Sequence, residues 1–218
     1  MIRTDDSETR ALAAGIVSSG GVIAFRTDTF YGLGADPFNR AAVQMIKKLK
    51  GREAGKPILI VISDRDQIER FIAQRSPAFD LLSEKFWPGP LTLIGKAAAG
   101  VPEEITAGSA TVGVRLPDDD EVRALVRACG GALTATSANL SGNAPARKAK
   151  EAASYFLTGI DLIVDGGEVT AALPSTVLDL SDPVPRVIRE GAISQAEIRR
   201  VLNTLEGPIS SWARSYRQ

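Results

Sequence analysis

The sequence predicts a single α/β domain, and three observations carry that expectation. Short apolar, largely β-branched runs alternate with segments of helical periodicity from residue 9 to residue 202. No shift in composition and no Pro/Gly/Ser-rich stretch divides the chain into halves. No self-similarity at solenoid spacing is present. The expected domain is therefore 9–202, followed by a tail at 203–218 whose Trp212 and Tyr216 would pack on the body or on a second subunit.

The elements follow in order. Residues 9–18 place Leu12, Ile16 and Val17 on one helical face, and Gly20-Gly21 ends the helix. Residues 22–25 read as a buried strand that opens into a Thr- and Gly-rich turn over 26–34, a common place for a ligand site. A helix over 40–50 turns Val43, Ile46 and Leu49 inward and stops at Gly51. Residues 57–62 form an apolar strand covered on both faces. Helical periodicity over 65–84 breaks near Pro77, and 86–90 is a rigid turn. Strands are expected at 91–94, 110–116, 132–136 and 162–165, with helices at 121–129, 148–155 and 195–202. Residues 175–180 and 184–189 form a hairpin-like pair.

Composition excludes several chemistries. Lys+Arg and Asp+Glu both number 26, so bulk charge favours neither nucleic acid nor a membrane surface. With no histidine, Ser-His-Asp and Cys-His machinery and His-based zinc sites are excluded. The single Cys129 forms no intrachain disulfide; it reads as a small core residue, with a nucleophile as the alternative. Any metal would be a hard cation such as magnesium, arriving with a phosphate ligand. Residues 1–10 lack a signal-peptide core and no apolar run is long enough for a bilayer, so a cytoplasmic protein without membrane attachment is expected.

The candidate chemistry lies in polar segments at strand and helix ends. Lys47, Lys48, Lys50, Arg52 and Lys56 concentrate positive charge at a helix end, either as favourable partners of that helix terminus or as an anion site. Thr136, Ser137, Asn139 and Ser141 follow a strand, either as a turn capping the next helix or as hydroxyl and amide groups around phosphate oxygens. Neither a Walker A motif nor a GxGxxG fingerprint is present. Arg115, Ser175-Thr176 and Arg189 each stand where a strand leaves or enters the core. Together these groups fit catalysis by positioning and charge neutralisation.

The ordered set Thr27-Asp28-Thr29-Phe30-Tyr31-Gly32-Leu33-Gly34, Lys50-Gly51-Arg52, Trp87-Pro88-Gly89-Pro90-Leu91-Thr92, Val114-Arg115-Leu116-Pro117, Thr136-Ser137-Ala138-Asn139-Leu140-Ser141-Gly142, Pro174-Ser175-Thr176-Val177 and Arg189-Glu190-Gly191 resembles the YrdC-domain family over nearly the whole chain. The resemblance implies a twisted mixed sheet with flanking helices around a concave basic cleft. It also implies formation of L-threonylcarbamoyl-adenylate and pyrophosphate from ATP, L-threonine and bicarbonate, with Mg2+ accompanying ATP. The adenylate would pass to tRNA-modification partner proteins that make threonylcarbamoyladenosine. By motif, Lys50, Arg52, Ser137 and Asn139 form the family's catalytic signature. Arg52, Lys56, Thr111, Ser137, Asn139 and Arg189 would hold ATP, and Thr29, Arg115 and Ser175 would hold threonine. Three positions depart from the family pattern: Arg26 in place of a common proline, the stretch 53–56, and Val61 in place of a common histidine. Two other readings stay open at this stage: a double-stranded RNA-binding module, with RNA binding held weak by the zero net charge, and carbamoyl-adenylate chemistry on another acceptor.

Overall fold

Alternation of apolar and small residues over short segments builds one mixed sheet in the computed structural model, which describes residues 1–51, 55–140 and 142–205. Its strands are β1 (Ile2–Thr4), β2 (Ile23–Arg26), β3 (Tyr31–Gly34), β4 (Leu59–Ile62), β5 (Leu91–Lys96), β6 (Thr111–Arg115), β7 (Ala132–Ser137), β8 (Leu162–Asp165), β9 (Thr176–Asp179) and β10 (Arg186–Arg189). The helices are α1 (Ser7–Ser18), α2 (Arg40–Leu49), α3 (Pro77–Phe86), α4 (Glu103–Thr106), α5 (Asp120–Ala128), α6 (Ala149–Tyr155) and α7 (Gln195–Leu202). The lateral strand order is β1-β8-β2-β3-β7-β4-β6-β5-β9-β10. Among the described residues four pairs are parallel (β1 with β8, β8 with β2, β4 with β6, β5 with β9) and the other five antiparallel, so the sheet is mixed.

Period-two alternation divides the side chains between two faces. Ala24, Tyr31, Leu33, Ile60, Ile62, Leu91, Leu93, Val112 and Val114 enter one large core, joined by Val43 and Ile46 of α2, Leu82 of α3 and Ile198 of α7. On the opposite face Ile23, Phe25, Val61, Leu133, Leu162 and Val164 pack under Ala13 and Val17 of α1 and Val122, Leu125 and Val126 of α5. That second cluster is smaller, because α1 and α5 cover only part of the face. The uncovered part becomes the site described below.

Local chemistry sets the element ends. Asp6, Asn39, Ser76 and Asp119 accept backbone N–H groups at the starts of α1, α2, α3 and α5. A Ser194–Glu197 capping box starts α7. Gly51, at φ +57°, ends α2 in the left-handed conformation that favours glycine.

Four elements differ from the sequence expectation. Residues 31–34, read as turn, form β3, in which Tyr31 and Leu33 point into the core. Gly32 and Gly34 lower strand propensity, but at Gly34 the fold needs a small residue: a Cβ there would lie 2.7 Å from the Phe25 ring. Residues 2–4, ahead of the expected domain, pair in parallel with β8. The short α4 has too few turns to show periodicity. Residues 65–84 split into a 3-10 turn at Arg65–Arg70 and α3, with Pro77 at the first turn of α3. The hairpin-like pair is present as antiparallel β9 and β10. The expected tail contacts of Trp212 and Tyr216 lie outside the described residues. Among the described residues no helix is long and apolar enough to cross a membrane.

Tyr31 ties the sheet to the loop after β8. Its hydroxyl lies 3.0 Å from Asp165 Oδ1 and 2.8 Å from the Gly167 carbonyl oxygen. Burial and the Asp165 carboxylate push its pKa above the usual phenol range, so it stays a neutral donor. Tyr31→Phe leaves these acceptors short of a donor and should lower unfolding free energy by about 1–3 kcal/mol in urea titration, with an unchanged denaturant slope.

Candidate active site

The uncovered part of the second face holds a cavity of about 520 Å³. Gly32, Leu59, Val61 and Ala135 are among its lining residues, and their small or apolar side chains leave room above the strands. Gly113 lies on the same face; a Cβ there would approach Leu59 Cδ2 to 2.5 Å, so a larger residue would push Leu59 into the cavity.

Polar groups enter from strand ends. In the β2–β3 turn, Thr27 Oγ1 donates to the Phe30 carbonyl at 2.7 Å and accepts the Thr29 and Phe30 N–H groups at 3.2 Å. This presents Thr29 to the cavity, with its hydroxyl 3.1 Å from that of Thr27. Arg115, at the end of β6, is only 6% exposed; it pairs with Asp28 and lies 3.4 Å from Thr29 Oγ1. Across the cavity wall, Arg189 Nη2 donates to the Ser175 carbonyl at 2.8 Å and to Ser175 Oγ at 3.2 Å. Ser175 Oγ is in turn 3.1 Å from Thr92 Oγ1. Burial, and then the charge of Arg115, lower the pKa of Arg189 from the ordinary arginine value. Among the described residues Arg189 has no carboxylate within salt-bridge distance.

The second polar cluster centres on Lys50, the residue that caps α2. It is 3% exposed. Its ammonium donates to the Ser137 carbonyl, to the Asn139 carbonyl at 3.0 Å and to Asn139 Oδ1 at 3.2 Å, with Ser137 Oγ at 3.3 Å. Asn139 Nδ2 donates onward to the Asn143 carbonyl at 2.6 Å. The loop after β7 is thus wound around a buried cation. It does not cap the next helix, whose N-cap is Lys148 with no side-chain cap bond. The turn-capping alternative is therefore not what these residues do.

The structure brings Thr29, Arg115, Ser137, Asn139, Ser175 and Arg189 to one cavity. Lys50 stands behind Ser137 and Asn139 and is not among the lining residues. Lys56 is exposed beside Pro57, which does line the cavity. Thr111 is half-buried at the opposite end of β6 from Arg115, with its hydroxyl 2.9 Å from that of Ser109. Arg52, and with it half of the Lys50–Arg52 motif, lies outside the described residues, as does Ser141. Thr92, fully buried in β5, and Asn143 also line the cavity and were not singled out by sequence. A threonine between Leu91 and Leu93 reads as strand alternation, and only the sheet order sets it beside Ser175. Val61, the departure from a common histidine, also lines the cavity. Among the described residues no group of three or more His, Cys, Asp or Glu is placed to hold a metal.

The protein-family model Sua5_yciO_yrdC, described as telomere recombination, matches residues 15–191. The chain belongs to the Sua5/YciO/YrdC family. Curated relatives carry the name threonylcarbamoyl-AMP synthase, two of them as follows. That of Pyrococcus abyssi is 37% identical over 194 residues, covering 89% of this chain and 57% of the relative. That of Thiobacillus denitrificans is 40% identical over 162 residues, covering 74% of this chain and 86% of the relative. A solved Pyrococcus abyssi Sua5, complexed with L-threonine, superposes with a TM-score of 0.87 at 35% identity, covering 93% of this chain and 59% of that one. The chain therefore spans well under two thirds of the Pyrococcus protein.

Two predictions concern the chemistry of this Sua5/YciO/YrdC member. Lys50→Met keeps the apolar stem but removes the ammonium from buried carbonyls; urea titration should show a loss of about 1–3 kcal/mol. Cys129 is partly buried against the second core cluster, and burial pushes its thiol pKa up to about 12. A raised pKa withholds the thiolate, so its alkylation by iodoacetamide at pH 8 should run at least about tenfold slower than that of free cysteine. A rate at or above that of free cysteine would restore the nucleophile reading.

Proposed function

We propose that the protein forms L-threonylcarbamoyl-adenylate and pyrophosphate from ATP, L-threonine and bicarbonate. The observation that carries the reading is the convergence on one cavity of two guanidiniums, Arg115 and Arg189, with the hydroxyl and amide groups of Thr29, Ser175, Ser137 and Asn139. These groups bind and neutralise anions; none is a conventional nucleophile with an adjacent base. The names of the two curated relatives, and the L-threonine bound by the solved Pyrococcus abyssi Sua5, support the same reaction.

In this reading Arg115 takes the threonine carboxylate, and Thr29 and Ser175 fix the amino acid beside it. Threonine and bicarbonate form a carbamate with loss of water. A carbamate oxygen attacks the ATP α-phosphorus and pyrophosphate leaves. Arg52, Lys56, Thr111, Ser137, Asn139 and Arg189 serve the nucleotide. Lys50 acts through the loop it holds, keeping Ser137 and Asn139 in place while charge shifts from the attacking to the leaving oxygen. The donor set suits Mg2+ only as the partner of a triphosphate, since Asp28 is engaged with Arg115. So bound, the ion would draw charge from the departing pyrophosphate. The cleft is basic in this reading. Residues 9–202 with β1 are the working unit, the location is cytoplasmic, and tRNA-modification proteins receive the adenylate.

Pyrophosphate release with ATP, magnesium and bicarbonate should depend on L-threonine; release that ignores threonine, alongside tight RNA binding, would overturn the proposal. Arg115→Ala should raise the threonine KM at least about tenfold, the scale of one charge-assisted contact, and leave the ATP KM within about twofold. An effect on ATP alone would reverse the assignment of Arg115.

A further inference from the structure

Two reciprocal ion pairs join the β2–β3 turn to the segment that leaves β6. Arg26 Nη2 donates to Asp119 Oδ2 at 2.6 Å, and Arg115 pairs with Asp28. Each segment supplies one guanidinium and one carboxylate, although β3, β7 and β4 stand between β2 and β6 in the sheet. The Asp28–Arg115 pair is the more enclosed, with side chains 11% and 7% exposed. Removing one partner from such a pair strands the other charge away from water, so the pair sets the local field as well as the geometry.

Arg115 lines the cavity and Asp28 does not, so the carboxylate backs the guanidinium from the side away from the ligand space. Arg189 is the second cation of the wall. Its hydrogen bonds go to the neutral Ser175, and the nearness of Arg115 tells on its charge. Among the described residues this corner therefore holds two positive charges and one negative.

We propose that Asp28 is a specificity-determining residue, the built-in counter-ion that offsets the charge of Arg115 and so suits the Arg115 side of this corner to a monocarboxylate rather than a dianion, leaving Arg189 as the cation for the nucleotide. The inference rests on the reading of Arg115 as the carboxylate-holding group and explains how that subsite stays free of phosphate. A cavity that takes a triphosphate and an amino acid together needs such discrimination, because an uncompensated pair of arginines would attract the more highly charged group. Coulomb attraction grows with ligand charge, so each positive charge left unbalanced favours a dianion over a monoanion.

The test is the ratio of malonate to acetate affinity, measured by NMR chemical-shift titration at pH 8 and low salt. The binding assigned to the corner is that lost in Arg115→Gln. Asp28→Asn should raise the malonate-to-acetate preference about tenfold, the scale of one unit charge acting over several ångströms at an effective dielectric of about 20 with some screening. Asp28→Glu keeps the charge on a longer arm, and its ratio should stay within about twofold of the wild type. An unchanged ratio in folded Asp28→Asn, or a tenfold rise in Asp28→Glu, overturns the proposal; should Asp28→Asn not fold, Asp28→Ser, which also removes the charge, should show the same rise, and an unchanged ratio there overturns it. The titration needs no turnover. Anion binding at Arg115 without threonine-dependent pyrophosphate release would remove the reaction and leave the counter-ion. Threonine-dependent release with an unmoved ratio would do the reverse.

Discussion

A lysine ammonium carried into the interior must find acceptors there, and the arrangement around Lys50 follows from that requirement. The α2 terminus supplies the cation and the chain beyond β7 supplies carbonyls from Ser137 and Asn139. Segments 87 and 89 residues apart are thereby locked together. Once the carbonyls turn toward Lys50, Ser137 and Asn139 border the cavity and Asn139 can reach Asn143. A polar loop that would otherwise sample many conformations is held in one. Lys50 thus ties the end of α2 to a loop that borders the cavity.

The cavity itself arises from incomplete coverage. An open sheet buries both faces where helices cover it, and α1 and α5 cover only the part of the second face around β2, β8, β7 and one end of β4. The exposed remainder is tolerable because its residues are glycine, alanine, a few aliphatics and hydroxyl side chains already bonded to neighbours. Charged groups gather at its margins, at the strand ends. The two ion pairs from the β2–β3 turn close the margin that the sheet order alone leaves open.

Membership of the Sua5/YciO/YrdC family joins these features. The family-model match covers residues 15–191, which span β2 through β10 and so every described strand of the cavity.

Much of this was legible in the sequence. Short continuous apolar runs mark β2, β4, β5 and β8, because a strand covered on both faces is apolar throughout whatever its partners, and turn residues between two such runs mark the β9–β10 pair. Gly51, Pro77 and the Ser194–Glu197 pair mark helix ends through purely local bonding. The ordered motifs picked out Thr29, Arg115, Ser137, Asn139, Ser175 and Arg189, which the fold does bring to one cavity. Tertiary structure decided what depends on distant partners. It made residues 31–34 a strand, in which the Phe25 ring presses against Gly34 too closely for a larger residue. It set the Lys50 ammonium against Ser137 and Asn139, set Thr111 at the far end of its strand from Arg115, and paired Asp28 with Arg115 across three intervening strands. Local periodicity reports which way a side chain faces; which charge it meets there depends on the strand order.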